Sequence, residues 1–149
     1  LNRATNYLAR QLKPTNQLQF NYQYAQQAQL LYILSESGAT FDKKLIDELY
    51  AQRDNLNNVS RALLALTIGK SNATDARLKT LFADLNANVI QSATGAHWEE
   101  TTQDWHALNS DTRSTAVVLM ALAKLDAKNA LTPNVVRWLM AARNCQPSA

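Results

Sequence analysis

The sequence lacks the residues and segments that mark several common classes of protein. Its single cysteine, Cys145, excludes an internal disulfide and leaves the redox compartment undecided. Among its three glycines there is no phosphate-binding loop and no Gly-x-Ser-x-Gly nucleophile elbow. It has no apolar run of about 18 residues and no basic-then-apolar leader. The chain is therefore predicted neither to span a membrane nor to carry its own export signal.

The composition is that of one soluble globular domain covering residues 1–149. Hydrophobic residues make up 46% of the 149 residues and charged residues 18%, which favours a packed core over disorder. The formal charge of +3 would suit an acidic partner only if the 15 Lys and Arg residues clustered on one surface. They are scattered among acidic residues along the chain, so we expect no nucleic-acid partner.

The C-terminal part of the chain shows the unit from which the fold is built. In the segment 111–125 the apolar residues wrap more than one face, whereas in 133–143 they form a single stripe. A helix that is apolar on several faces is buried on several sides. We therefore predict an inner helix, followed by an outer helix that lies against it and has Pro133 in its first turn.

The same unit recurs earlier in the chain. Leu34 and Leu66, in two predicted inner helices, are separated by 32 positions, and so are Leu49 and Leu81 in the outer helices. Two equal offsets predict stacked helical hairpins, none of which can bury its apolar face alone. Seven helices are predicted, in an all-α fold: 2–13, 22–37, 42–53, 57–69, 75–88, 111–125 and 133–143.

Between the fifth and sixth helices the helical period breaks. The runs 89–92 and 96–99 alternate in hydrophobicity around a turn at 93–95, which predicts a small β-hairpin insertion. The second and fourth predicted helices are expected to end at Gly38 and Gly69, because glycine commonly follows the last helical residue.

Six residues in this region invite a metal or acid–base interpretation. They fall within fifteen positions: His97, Glu99, Glu100, Asp104, His106 and Asp111. No His-Glu-x-x-His motif is present, and only one cysteine is available to complete a zinc site. We therefore expect no catalytic residue, no metal site and no cofactor. Cys145, in a polar tail with no base near it in sequence, is predicted to be a free thiol.

Part of the chain resembles a known family. The runs 95–100 (Gly-Ala-His-Trp-Glu-Glu), 111–116 (Asp-Thr-Arg-Ser-Thr-Ala), 119–125 and 133–139 (Pro-Asn-Val-Val-Arg-Trp-Leu) are similar to the thioester-containing domain of the alpha-2-macroglobulin and complement family, above all its bacterial members. The resemblance implies an α/α toroid, with inner helices around an axis and outer helices around them. It also implies a role in trapping proteases, in a periplasmic or extracellular location.

This chain differs from the family at the residues that carry the family's chemistry. Family members acylate the trapped protease through a thioester formed within a Cys-x-Glu-Gln motif, and this chain has no such motif. Cys145 follows the last predicted helix and does not match the thioester cysteine. His97 lies in the segment that resembles the family's Trp-Glu hairpin, not in the one that carries the transacylation histidine. No functional residue of the family is therefore transferred to this chain.

We accordingly expect a non-enzymatic fragment of a bacterial macroglobulin, forming part of the wall around the thioester. Its expected partners are the remainder of the macroglobulin chain and, for the full-length protein, proteases; cut edges of the toroid could also self-associate. Two alternatives stay open on the sequence alone. One is an α/α-toroid enzyme of the terpene cyclase or prenyltransferase type, which would need an aspartate-rich motif or paired carboxylates. The other is a free-standing helical-repeat binding module.

Overall fold

The computed structural model of the chain describes residues 2–100 and 110–144. Within these ranges the chain forms seven α-helices, two single-turn 3₁₀ helices and one antiparallel pair of strands. The elements are, in order, α1 (Asn2–Gln11), α2 (Asn21–Ser37), α3 (Lys44–Ala51), α4 (Asn58–Ser71), α5 (Ala76–Ala87), β1 (Ile90–Ser92), β2 (Gly95–His97), α6 (Asp111–Leu125) and α7 (Thr132–Asn144). The predicted all-helical fold with a small β-hairpin insertion is confirmed.

The helices form two layers. The inner layer consists of α2, α4 and α6, with α4 packed between the other two. On the outer side, α3 and α5 pack on α4, while α1 packs on α2 and α7 packs on α6. This is the arrangement of inner and outer helices expected of an α/α-toroid fragment. The predicted contact between the fourth and sixth helices, on which the repeat interpretation depends, is present.

The inner helices run parallel to one another. At one end, Glu36 near the end of α2 pairs with Lys70 of α4 at 3.3 Å and with Lys124 of α6 at 3.8 Å. At the other end, Asn58 opens α4 and Ser114 lies in the first turns of α6, and both contact the segment after β2. Because like ends of the helices meet, successive hairpins repeat in the same orientation, as stacked repeats require.

The most enclosed helix is α4, and here the sequence prediction is corrected. Every residue from Asn58 to Gly69 except Arg61 is buried, because α4 has neighbours on both flanks and on its outer side. In α6, which the sequence predicted to be buried on several sides, Val118, Ala121 and Leu122 are fully buried. Its other apolar residues stay half-buried or exposed, since no described element packs on that side.

A second correction concerns Gly69. The sequence placed it at the end of the fourth helix, but α4 continues to Ser71. A Cβ atom at position 69 would overlap the Leu125 side chain, with Leu125 Cδ1 only 2.8 Å away. Gly69 therefore permits the close approach of α4 and α6 at their C-terminal ends instead of stopping the helix. The predicted C-terminal glycine of α2 is confirmed, because Gly38 has the left-handed φ of 70°.

Candidate functional site

Residues 95–100 comprise β2 and the three residues that follow it. These six residues contact four helices: α4, α5, α6 and α7. They include His97, Glu99 and Glu100, three of the residues that the sequence singled out. The hairpin itself pairs Ile90 with His97 and Ser92 with Gly95 around a two-residue turn. The strand β2 is shorter than predicted, ending at His97, and Gly95 belongs to it instead of to the turn.

The first contact is made by Gly95 with the outer helix α7. Gly95 is buried and has a φ of 135°, a conformation that residues with a Cβ rarely adopt. A Cβ atom there would overlap the backbone oxygen of Asn134 and would lie 2.8 Å from the backbone nitrogen of Trp138. The absence of a side chain therefore lets the strand lie directly against the helix backbone.

The second contact is the stacking of His97 on Trp138 of α7. The two rings are 4.5 Å apart at their centroids and 3° from parallel. His97 is 9% exposed, and its Nε2 lies 3.1 Å from Glu99 Oε1. Its Nδ1 is buried without a hydrogen-bond partner. This ring has an aromatic neighbour and one carboxylate around it, which is the environment of a packed histidine more than of a metal ligand.

The third contact is Trp98, the largest fully buried side chain of the described residues. Its indole Nε1–H donates to the backbone oxygen of Leu85 in α5 at 2.7 Å. Its backbone N–H donates to Thr115 Oγ1 of α6 at 3.1 Å, and that hydroxyl also lies 3.5 Å from the Trp98 carbonyl oxygen. Trp98 thus joins α5 to α6 with its polar atoms satisfied, as burial of an indole requires.

The fourth contact is Glu100, at the N-terminal ends of α4 and α6. Ser114 Oγ donates to Glu100 Oε1 at 2.8 Å, and the backbone N–H groups of Asn58 and Val59 are near enough to this carboxylate to lower its pKa. Burial raises the pKa of Glu100 above its ordinary value, and the nearby charge of Asp111 acts in the same direction. These three donor groups lower the pKa, but they do not reverse the effect of burial.

The geometry joins only part of the cluster predicted from the sequence. Glu100 and Asp111 do meet, since the Glu100 backbone N–H donates to Asp111 Oδ1 at 3.3 Å. His97 and Glu99 pair with each other. Asp104, His106 and Cys145 lie outside the described residues. Among residues 2–100 and 110–144, no group of three or more His, Cys, Asp or Glu side chains has a geometry that could hold a metal ion.

Three residues of this site were not identified from the sequence: Asn58, Ser114 and Trp138. Asn58 also donates from Nδ2 to the Glu99 carbonyl oxygen at 3.1 Å, which fixes the same segment from α4. A sequence signal existed for two of them, because small polar residues in the first turns of helices commonly bind nearby acceptors and donors. The stacking of Trp138 on His97 has no such local signal.

The described helices include none with the length and hydrophobicity that a bilayer crossing requires. A scan of protein-family models, a search of curated proteins and a search of solved structures each find no match to this chain. Functional inference therefore depends on the residues and contacts described above.

Proposed function

We propose that this chain is a structural, non-catalytic part of a bacterial protease-trapping protein of the alpha-2-macroglobulin type. In this proposal it forms part of the helical wall that shelters a thioester located elsewhere in the whole protein. It has no chemistry of its own, and its targets would be proteases met in the periplasm or outside the cell.

The proposal is supported by the contacts of the residues that carry the family resemblance. The runs 95–100 and 111–116, which carry the resemblance, bind each other in the structure through Trp98 with Thr115 and Glu100 with Ser114. The polar groups of these four residues are directed to each other and to neighbouring backbone of the same chain, and Trp98 is fully buried. Residues engaged in this way hold helices together, which is a structural role.

The first test uses the chain itself. We expect the purified protein to gain no mass on incubation with methylamine, and to leave the activity of serine and metalloproteases unchanged. Titration of the native protein with a thiol reagent should detect Cys145 before any treatment. A mass gain of one methylamine, with the thiol appearing only afterwards, would show that this chain carries a thioester and would refute the structural role.

The second test uses the complete product of the gene that encodes the chain. Trapping leaves a protease able to cleave a small chromogenic peptide but unable to reach a large substrate such as casein. We expect that pattern from the complete product. In the complete product, Trp98→Ala should lower the yield of folded protein, because Trp98 has a structural and not a catalytic role. A complete product that leaves casein cleavage unaffected would contradict the macroglobulin assignment. Turnover of a prenyl diphosphate would favour the enzyme alternative.

A further inference from the structure

A second surface, formed by the turn before α2 and the first turns of that helix, has the chemistry of a ligand site. Residues 16–29 contain six glutamines, two asparagines and three aromatic residues, with no charged residue among them. This stretch forms the turn before α2 and its first turns. In a chain with 18% charged residues, an uncharged stretch rich in amides and aromatic rings calls for a separate explanation.

The aromatic part of this surface is a stacked pair that faces solvent. The rings of Phe20 and Tyr22 lie 5.8 Å apart and 9° from parallel. Phe20 is 56% exposed, although burying a phenylalanine side chain normally stabilises a fold. An exposed aromatic ring that is held flat by a neighbour offers an apolar platform.

The platform is held in place by glutamine side chains. Gln23 Oε1 accepts hydrogen bonds from the backbone N–H groups of Gln19 at 2.6 Å and of Phe20 at 3.0 Å. One turn later, the amide of Gln27 binds Lys13 through both of its polar atoms, donating to the carbonyl oxygen at 2.7 Å and accepting from the N–H at 3.3 Å. The loop that carries Phe20 is thus fixed to α2 before any ligand binds, which lowers the entropic cost of binding.

A small polar cleft adjoins this platform. It has a volume of about 60 Å³ and is lined by Gln11, Gln23, Gln26 and Gln27, with Lys13 and Leu30. Gln26 lies four residues after Tyr22 and therefore on the same face of α2. A volume of this size holds about four water molecules, so it suits a hydroxymethyl or N-acetyl group better than a whole ring.

We propose that the Phe20–Tyr22 platform and the glutamine-lined cleft bind a neutral saccharide. A pyranose ring has one face of C–H groups, which packs on an aromatic ring, and hydroxyls that both donate and accept hydrogen bonds. Glutamine side chains also do both, whereas carboxylates only accept and ammonium groups only donate. Lys13 is the one charged residue that lines the cleft. The absence of charge from residues 16–29, which supply the aromatic platform and most of the cleft, favours a neutral ligand over a phosphorylated or nucleic-acid one. This inference is independent of the protease-trapping role.

The test is a titration of the ¹⁵N-labelled chain with chitotriose and, separately, with maltotriose, followed by NMR. We expect one of the two to shift the amide signals of Phe20, Gln23 and the side chain of Gln26, with a dissociation constant on the order of 1 mM. Phe20→Ala and Gln26→Ala should each weaken binding by about tenfold, which corresponds to 1.4 kcal/mol. Both variants keep the backbone hydrogen bonds of the loop.

Two matched controls lie in the same part of the chain. Tyr7→Ala removes an aromatic side chain that is 64% exposed on α1, and Gln29→Ala removes an exposed glutamine of α2 that does not line the cleft. Both should bind as the unmodified chain does. The proposal is overturned if neither sugar shifts these signals at about 50 mM, a concentration well above the expected dissociation constant. It is also overturned if the shifts survive Phe20→Ala, or if a proline-rich peptide binds there and the sugars do not.

Discussion

The indole Nε1–H of Trp98 donates a hydrogen bond to the backbone oxygen of Leu85 at 2.7 Å, and both residues are completely buried. Leu85 lies in the last turn of α5, and its carbonyl oxygen also accepts a hydrogen bond from the backbone N–H of Asn88 at 3.1 Å. The segment after the β-hairpin therefore supplies part of the C-terminal cap of the preceding outer helix. Through Thr115 it also binds the next inner helix.

This relationship predicts the effect of two substitutions. Trp98→Phe removes the donor and leaves part of the indole volume empty, and we expect a loss of about 1–3 kcal/mol in the free energy of unfolding. Trp98→Ala opens a larger cavity, so we expect a loss of about 3–5 kcal/mol. Urea denaturation followed by circular dichroism measures both. Equal stability of Trp98→Phe and the unmodified chain would show that the hydrogen bond to Leu85 contributes nothing.

The second prediction concerns Gly95. Gly95→Ala should lower the free energy of unfolding by about 2–4 kcal/mol, because it adds both backbone strain and an overlap with the backbone of α7. Gly38→Ala is the matched control, since Gly38 also has a positive φ but no atom lies within 4 Å of its added Cβ. That variant should cost only about 1 kcal/mol. If the two variants lower the free energy of unfolding by the same amount, β2 does not lie against α7 as described.

How far the sequence predicts this structure depends on whether the signal is local. Helical periodicity and caps are local, so all seven helices and the hairpin were found, and Gly38 was correctly placed at the end of α2. Gly69 was placed at a helix end by the same rule, wrongly, because the reason for its glycine is Leu125 in another helix. At the site, the partners of Trp98 and Glu100 lie on other helices, where sequence spacing gives no information.

The third prediction separates the two roles of Gly69. Alanine is a better helix former than glycine by about 1 kcal/mol, but here its Cβ would overlap Leu125. Gly69→Ala alone should therefore destabilise the chain. In a Leu125→Ala background the overlap is absent, and the same substitution should stabilise it by about 1 kcal/mol. A double-mutant cycle by thermal or urea denaturation measures this change of sign. An equal effect of Gly69→Ala in both backgrounds would refute the close contact.

The last prediction concerns Glu100 and the pH dependence of stability. Burial raises the pKa of Glu100 in the folded chain, so the folded state binds this proton more tightly than the unfolded state does. The destabilisation caused by burying the ionised carboxylate is fully present above the raised pKa. It disappears as the pH falls towards the ordinary value of 4.5. Lowering the pH from 7 towards 5 should therefore increase the Glu100 contribution to stability.

The pH range of the Glu100 effect is distinct from that of Asp75 at the start of α5. The Asp75 pKa is lowered to about 2, so its contribution to stability is lost only below about pH 4.

Glu100→Gln isolates that contribution. The glutamine oxygen can still accept from Ser114 Oγ, but the side chain has no charge to desolvate. At pH 7 the variant should be as stable as the unmodified chain or more stable, and the difference between them should shrink as the pH is lowered to 5. Urea denaturation at intervals between these pH values measures the difference, from which the contributions of all groups common to both proteins cancel. The prediction fails if Glu100→Gln is clearly less stable at pH 7, because the carboxylate would then stabilise the ends of α4 and α6 as an anion.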